Sequence, residues 1–154
     1  MTDVESTAAQ QTTPLRNPKP TPVPDSLTAP FWAALSDGVI TIQQCQSCGT
    51  FSHPPVDVCG NCLTTPPRLD YVPVSGRAVV RSWTTVWRTF LPSFAADVPY
   101  LLVVGELIEQ PGLTFAARLV SSSTEPVPGE ELALVRQDMG GMVLPVFVRR
   151  ADLP

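Results

Sequence analysis

The spacing of apolar and polar positions divides the chain into segments of different character. Residues 1 to about 27 hold few aliphatic side chains and place Pro14, Pro18, Pro20, Pro22 and Pro24 among Thr, Ser and Gln. Such a segment buries too little apolar surface to offset its ordering entropy, which predicts a solvated tail, mobile or extended. From Thr28 to Gly38 the rhythm becomes helical. Phe31, Trp32 and Leu35 recur at helical spacing, Thr28 is an N-cap type, Pro30 is tolerated in a first turn, and Gly38 stops the run. Val39 to Gln44 alternates and carries β-branched residues, so a strand is expected there, with Phe51 to Val58 as the returning arm of a two-hairpin layout.

Beyond Tyr71 the pattern is all-β. Strands are predicted at Gly76 to Phe90, Tyr100 to Ile108, Leu113 to Val120, Glu131 to Arg136 and Met142 to Arg149. Turn signals separate them at Leu91 to Pro99, Glu109 to Gly112, Ser121 to Gly129 and Asp138 to Gly141. Five short strands with a long first one suit a Greek-key barrel of the OB type. Gly76 and Gly105 stand where a curling strand would take a bend or bulge, and Pro145, which has no N–H, predicts an edge or an interruption in the last strand. The organisation expected is a Pro-rich tail over 1–27, a short helix over 28–38, a ribbon over 39–68 and a barrel over 69–150.

The four cysteines supply the chemistry. Cys45 and Cys48 form one Cys-x-x-Cys pair, and after ten intervening residues Cys59 and Cys62 form another. Zinc takes four thiolates tetrahedrally, and the two-residue spacer lets both sulfurs of a pair reach one ion. Gly49 and Gly60 suit the left-handed turns of such loops. Four thiolates leave no open coordination position, so the predicted zinc is structural. Iron is accepted by the same ligands, and two disulfides are the reading for a secreted chain. His53, the sole histidine, could replace a cysteine, but the four-thiolate set is complete without it and its expected role is to cap the loop before Pro54 and Pro55. With so few apolar residues of its own, the ribbon depends on its metal for stability.

Composition narrows the function. A net charge of −4 and a pI near 4.8 argue against a polyanionic partner. Lys19 is the only lysine, so every cation beyond the tail is an arginine. No apolar run reaches the eighteen or so residues of a membrane span, and residues 1 to 30 lack a secretory apolar stretch, so the cytoplasm is expected. Catalysis by this chain is not expected. Its histidine lies in the ribbon, its cysteines are assigned to metal, and neither a Gly-x-Ser-x-Gly nor a phosphate-cradling motif occurs.

A rival reading is binding of single-stranded nucleic acid, for which ribbons and OB barrels are both used. On the first barrel strand Trp83 and Trp87 share parity with Arg77 and Arg81, an arrangement of rings and guanidinium groups on one face. The competing expectation puts the tryptophans in the core and the arginines in solvent. The same arginines also suit the phosphates of CoA or acidic residues of a partner.

Taken in order, the helix, ribbon and barrel resemble the DUF35 family of OB-fold proteins with a rubredoxin-like zinc ribbon. The resemblance is carried by Phe31-Trp32-Ala33-Ala34-Leu35, by the double knuckle with His53-Pro54-Pro55 between its halves, by Val74-Ser75-Gly76-Arg77-Ala78-Val79-Val80, and by Val98-Pro99-Tyr100. It runs from Pro30 to about Arg149. It departs at the close, where Gly129-Glu130-Glu131-Leu132-Ala133-Leu134 stands for the usual Gly-x-x-Val-x-Val and Pro145 is unusual. The resemblance implies a non-catalytic accessory subunit of a thiolase, thiolase-like aldolase or synthase, or of a hydratase, acting on acyl-CoA thioesters and in some relatives on steroid side chains. Candidate contacts to the partner or to acyl-CoA are then Phe31, Trp32, Arg88, Phe90, Phe94 and Tyr100, of which Phe94 sits in the apolar connection from Leu91 to Pro99. That connection also reads as a loop covering the core.

Overall fold

A computed structural model describes residues 19–120, 124–139 and 141–153. Residues 1–18 of the expected tail lie outside the described residues, as do 121–123 and Gly140 of two expected turns. The rest is mainly β: one N-terminal helix, a three-stranded ribbon sheet and a closed five-stranded barrel of the OB type.

The helix, α1 (Ala29–Ser36), follows Thr28, but the Thr28 hydroxyl does not cap it. Thr28 Oγ1 instead donates to the carboxylate of Asp25, which also accepts the N–H groups of Leu27 and Thr28. Asp25 organises the entry turn, and the Thr28 hydroxyl holds its carboxyl below the usual carboxylate range. The C-terminal end is a Schellman motif: Val39 N–H reaches Ala34 O, Gly38 N–H reaches Leu35 O, and Gly38 takes φ +92°. Arg136 then donates to the Ser36 carbonyl. The buried stripe is Phe31 and Leu35.

The ribbon sheet has the order β2 (Phe51–Ser52), β1 (Thr41–Cys45), β3 (Leu69–Pro73). β3 pairs antiparallel with the whole of β1, from Thr41 opposite Pro73 to Cys45 opposite Leu69. It lies in the stretch read from sequence as the start of the barrel, yet hydrogen-bonds to the ribbon. The returning arm is shorter than expected, because Pro54 and Pro55 cannot donate to a ladder. Beyond Ser52 the carboxamide of Gln43, a buried residue of β1, takes over: its Nε2 donates to Val56 O and its Oε1 accepts from Val56 N–H.

The barrel runs β4 (Arg77–Val86), β5 (Tyr100–Leu107), β6 (Thr114–Leu119), β8 (Val143–Arg149), β7 (Glu131–Asp138), and closes by pairing of β7 with β4. β4 ends four residues short of the expected Phe90. Val86 is opposite Tyr100, the first residue of β5, and the Pro99 before it has no N–H to continue the ladder. A bulge leaves Arg81 unpaired between Val80, opposite Gly105, and Ser82, opposite Val104. Such an extra residue reverses which parity faces inward. Ala78 and Val80 face the core before it, and Trp83 packs against the core after it, while Arg77 and Arg81 are exposed. The predicted common face of rings and guanidinium groups is therefore absent from β4.

Pro145 interrupts nothing. β8 pairs with β7 throughout, from Leu132 opposite Arg149 to Asp138 opposite Val143. The Phe147 carbonyl accepts from Val120, on the β6 side. Pro145 shares parity with Phe147, so its missing N–H would point away from β7, toward a neighbour that pairs with β8 only at Phe147. The last strand is thus neither an edge nor broken. Phe147 is fully buried, and its ring occupies the space a side chain at position 105 would fill: a Cβ there would stand 2.5 Å from Phe147 Cζ. The bulge that curls the barrel is at Arg81, on the strand opposite Gly105. Gly76 adopts φ +73° where a Cβ would meet the Leu134 carbonyl at 2.5 Å. Phe31, Leu35 and Ile42 join the barrel residues in one continuous core, so helix, ribbon and barrel pack as one body.

Candidate metal centre and contact surface

The two knuckles are built alike. In each, the first cysteine's carbonyl accepts the N–H of the residue four further on: Gly49 to Cys45 at 2.7 Å and Leu63 to Cys59 at 3.1 Å. That residue is left-handed in both, with φ +75° at Gly49 and +52° at Leu63. Gly60 does not take the left-handed role expected of it; a leucine does, at an exposed position. β1 delivers Cys45, and the turn back from β2 delivers the second knuckle.

The four sulfurs lie within 4.8 Å of one another. Cys45 and Cys62 Sγ are 3.6 Å apart, as are Cys48 and Cys59 Sγ. A tetrahedron with bonds of about 2.3 Å has edges of about 3.8 Å, so the set fits one zinc ion. All four are free cysteines, which removes the disulfide reading. Polar neighbours favour the thiolate form metal binding requires. The Thr50 hydroxyl and N–H pull Cys48 down to about 6, with help from Asn61, and Thr64 lowers Cys62. Backbone groups of Cys62 and Asn61 pull in the same direction at Cys59, but burial and the sulfurs of Cys48 and Cys45 raise it on balance. In a metal-free site these opposed directions mean that the thiols ionise unevenly. Cys45 and Cys59 are buried, and Cys48 is exposed.

His53 is no ligand. Its ring stacks on Phe115 of β6 at 4.3 Å and 17°, and burial pushes its pKa below the ordinary histidine value. It seals the ribbon to the barrel rather than simply capping the loop before Pro54.

The six candidate contact residues separate into three groups. Phe31 is turned inward, with 8% of its surface exposed, and packs edge-to-face on Trp32 and against Phe115, so its ring serves the core. Trp32, Phe94 and Tyr100 converge on an apolar groove of about 430 Å³ lined also by Leu102, Met142, Leu144 and Pro145 and by the segment from Lys19 to Pro22. Arg88 and Phe90 stand apart in the irregular segment after β4. Arg88 is exposed, Phe90 is completely so, and Trp87 beside them is 70% exposed. The Leu91 to Pro99 connection contains a 3-10 turn, Pro92–Phe94, which aims Phe94 at the groove.

The arginines are mostly occupied. Arg81 pairs with Glu106, which raises the arginine and holds the carboxyl low, Arg149 with Glu130, and Arg77 with Glu131 at 3.9 Å. Arg118 and Lys19 share one oxygen of Asp97, at 3.5 and 2.6 Å, and Arg118 lies 4.9 Å from the Tyr100 ring centroid. Internal acids hold these guanidinium groups where a nucleic-acid groove would leave them free. Asp97, Arg118 and the groove methionines were not among the predicted site residues. The only available signal was that the chain's single lysine lies in the tail.

Two family models together cover most of the chain. Residues 32–68 match the ChsH2 rubredoxin-like zinc ribbon domain, and residues 71–137 match the ChsH2 C-terminal OB-fold domain. The chain belongs to the ChsH2 (DUF35) family. The zinc ribbon of the ChsH2 family and the sulfur cluster here agree on structural zinc as the cofactor. Among solved structures, a chain of an "Ltp2-ChsH2(DUF35) aldolase" superposes with a TM-score of 0.71 at 26% identity, over 83% of this chain and 98% of that one. No curated protein matches the sequence. Among the described residues, no helix of this ChsH2-family chain is long and apolar enough to cross a membrane.

Proposed function

We propose that this chain is a non-catalytic accessory subunit of a thiolase-like enzyme, most closely an aldolase, that acts on acyl-CoA thioesters in lipid or steroid side-chain breakdown in the cytoplasm. The observation that carries the reading is the superposition on 98% of a chain from an Ltp2-ChsH2 aldolase, which spans ribbon and barrel together. Cys45, Cys48, Cys59 and Cys62 hold the zinc, which keeps the ribbon folded and supplies no step of the reaction. The exposed run Trp87, Arg88, Phe90 and Leu91 is the docking patch, since aromatic and arginine side chains anchor interfaces when desolvated by a partner.

The test is co-expression with a thiolase-like enzyme from the same host. A stoichiometric complex with retro-aldol activity on an acyl-CoA that neither subunit supports alone is the expected result. Phe90→Asp with Arg88→Glu should abolish co-purification while leaving the thermal transition unchanged. Purification as a lone chain with turnover of its own would overturn the reading.

A further inference from the structure

From Lys19 to Pro24 every second residue is a proline, so each residue between is one that precedes a proline. Each ring locks φ near −65°, and each pre-proline residue is pushed out of the α region. Both restrictions are met by an extended rod of the polyproline II kind, with three residues per turn. Burial follows that period: Lys19 and Pro22 are half-buried, while Pro20, Thr21, Val23 and Pro24 are exposed.

Lys19, Pro20, Thr21 and Pro22 of this rod form one wall of the apolar groove of Trp32, Phe94, Tyr100, Met142, Leu144 and Pro145. At one end, Lys19 Nζ lies 2.6 Å from Asp97 Oδ2 and 5.3 Å from the Phe94 ring centroid. At the other, the Asp25 turn passes the chain into α1. The expectation of a solvated leader therefore fails at Lys19 and Pro22.

We propose that this groove is a receptor for polyproline II segments, and that its resident ligand is the chain's own strap, Lys19–Pro24. Aromatic-lined grooves suit such rods because the ligand is already extended and loses little entropy on docking. The Lys19–Asp97 pair sets the direction of the strap. Met142, an unbranched and adaptable side chain, lets the wall follow the rod. Tethering gives the strap an effective concentration of order millimolar, enough to seat a ligand of weak intrinsic affinity while leaving it displaceable. The inference stands on strap and groove alone and does not rest on the accessory-subunit reading.

The experiment uses the full chain. In 15N relaxation measurements the amides of Lys19, Thr21 and Val23 are expected to be as ordered as those of the barrel strands. Lys19→Glu, which sets like charges against Asp97, and Pro22→Gly, which leaves that ion pair intact, should each make all three amides mobile without shifting the β5 and β6 signals. A labelled Lys-Pro-Thr-Pro-Val-Pro peptide should then bind the variants about tenfold more tightly than the parent chain, with shifts at the Trp32 indole and the Leu144 methyls. Mobile amides in the parent chain would overturn the strap. Equal peptide binding to parent and variants, or none to either, would overturn the receptor.

Discussion

Gln110 makes both of its side-chain hydrogen bonds to a single residue, Phe51: Oε1 accepts from the Phe51 N–H at 2.8 Å and Nε2 donates to the Phe51 carbonyl at 3.2 Å. A glutamine in the β5–β6 turn thereby acts as one residue of a strand against the edge of the ribbon. Gln43 and Val56 repeat the device within the ribbon. Gln110→Ala leaves a half-buried N–H and C=O without partners and should cost about 1–3 kcal/mol. Gln110→Glu retains the acceptor, but near neutral pH its ionised carboxylate sets an oxygen against the Phe51 carbonyl, so its cost should be larger there and fall at low pH, where the protonated carboxyl donates again. Urea denaturation compares them, and a faster loss of zinc to a chelator in both would show that the barrel steadies the metal site.

Cys48 is the exposed member of the sulfur cluster, so its replacement removes a ligand without opening a cavity. Cys48→Ser should lower bound metal well below one zinc per chain and melt the ribbon, since metal binding supplies much of the stability of so small a module. Metal analysis with circular dichroism reads both effects. Full zinc content and an unchanged unfolding midpoint would reject structural zinc at these four residues.

Gly105 and Phe147 form a packed pair across the barrel interior. Gly105→Ala should destabilise by about 1–3 kcal/mol, because the new methyl cannot enter without moving a fully buried ring. Adding Phe147→Leu should recover part of that loss. A double-mutant cycle by thermal unfolding tests the pair, and strict additivity would show that the ring is not what excludes the methyl.

His53 contributes a pH dependence of known sign. Burial against Phe115 depresses its pKa in the folded chain, so the unfolded chain binds the proton more readily. Its contribution is complete above the unfolded value of about 6.5 and is lost as pH falls through and below it. His53→Phe preserves the stacked ring and should flatten the stability profile between pH 7.5 and 5.5. An unchanged slope in urea denaturation would mean that other groups carry the acid sensitivity.

The zinc ribbon, the helix and the five barrel strands were legible in the sequence because each rests on a local signal. Cysteine spacing sets the reach of the knuckles, the Schellman end of α1 follows from Gly38, and alternation marked β5 and β6 nearly residue for residue. The extended course of residues 19–24 is equally local, since every second φ there is restricted by a ring and each residue between precedes a proline. Four features were decided only by tertiary contact. The bulge at Arg81 reversed the faces of β4, β3 joined the ribbon, Pro145 fell on the side of β8 that needs no donor, and Phe31 turned inward while Trp32, Phe94 and Tyr100 met in one groove. Periodicity gives the alternation of a strand but not the position of one extra residue, nor which neighbour will stand beside it. Those depend on how the closed barrel matches strands far apart in the chain, and that match exists only once the core has formed.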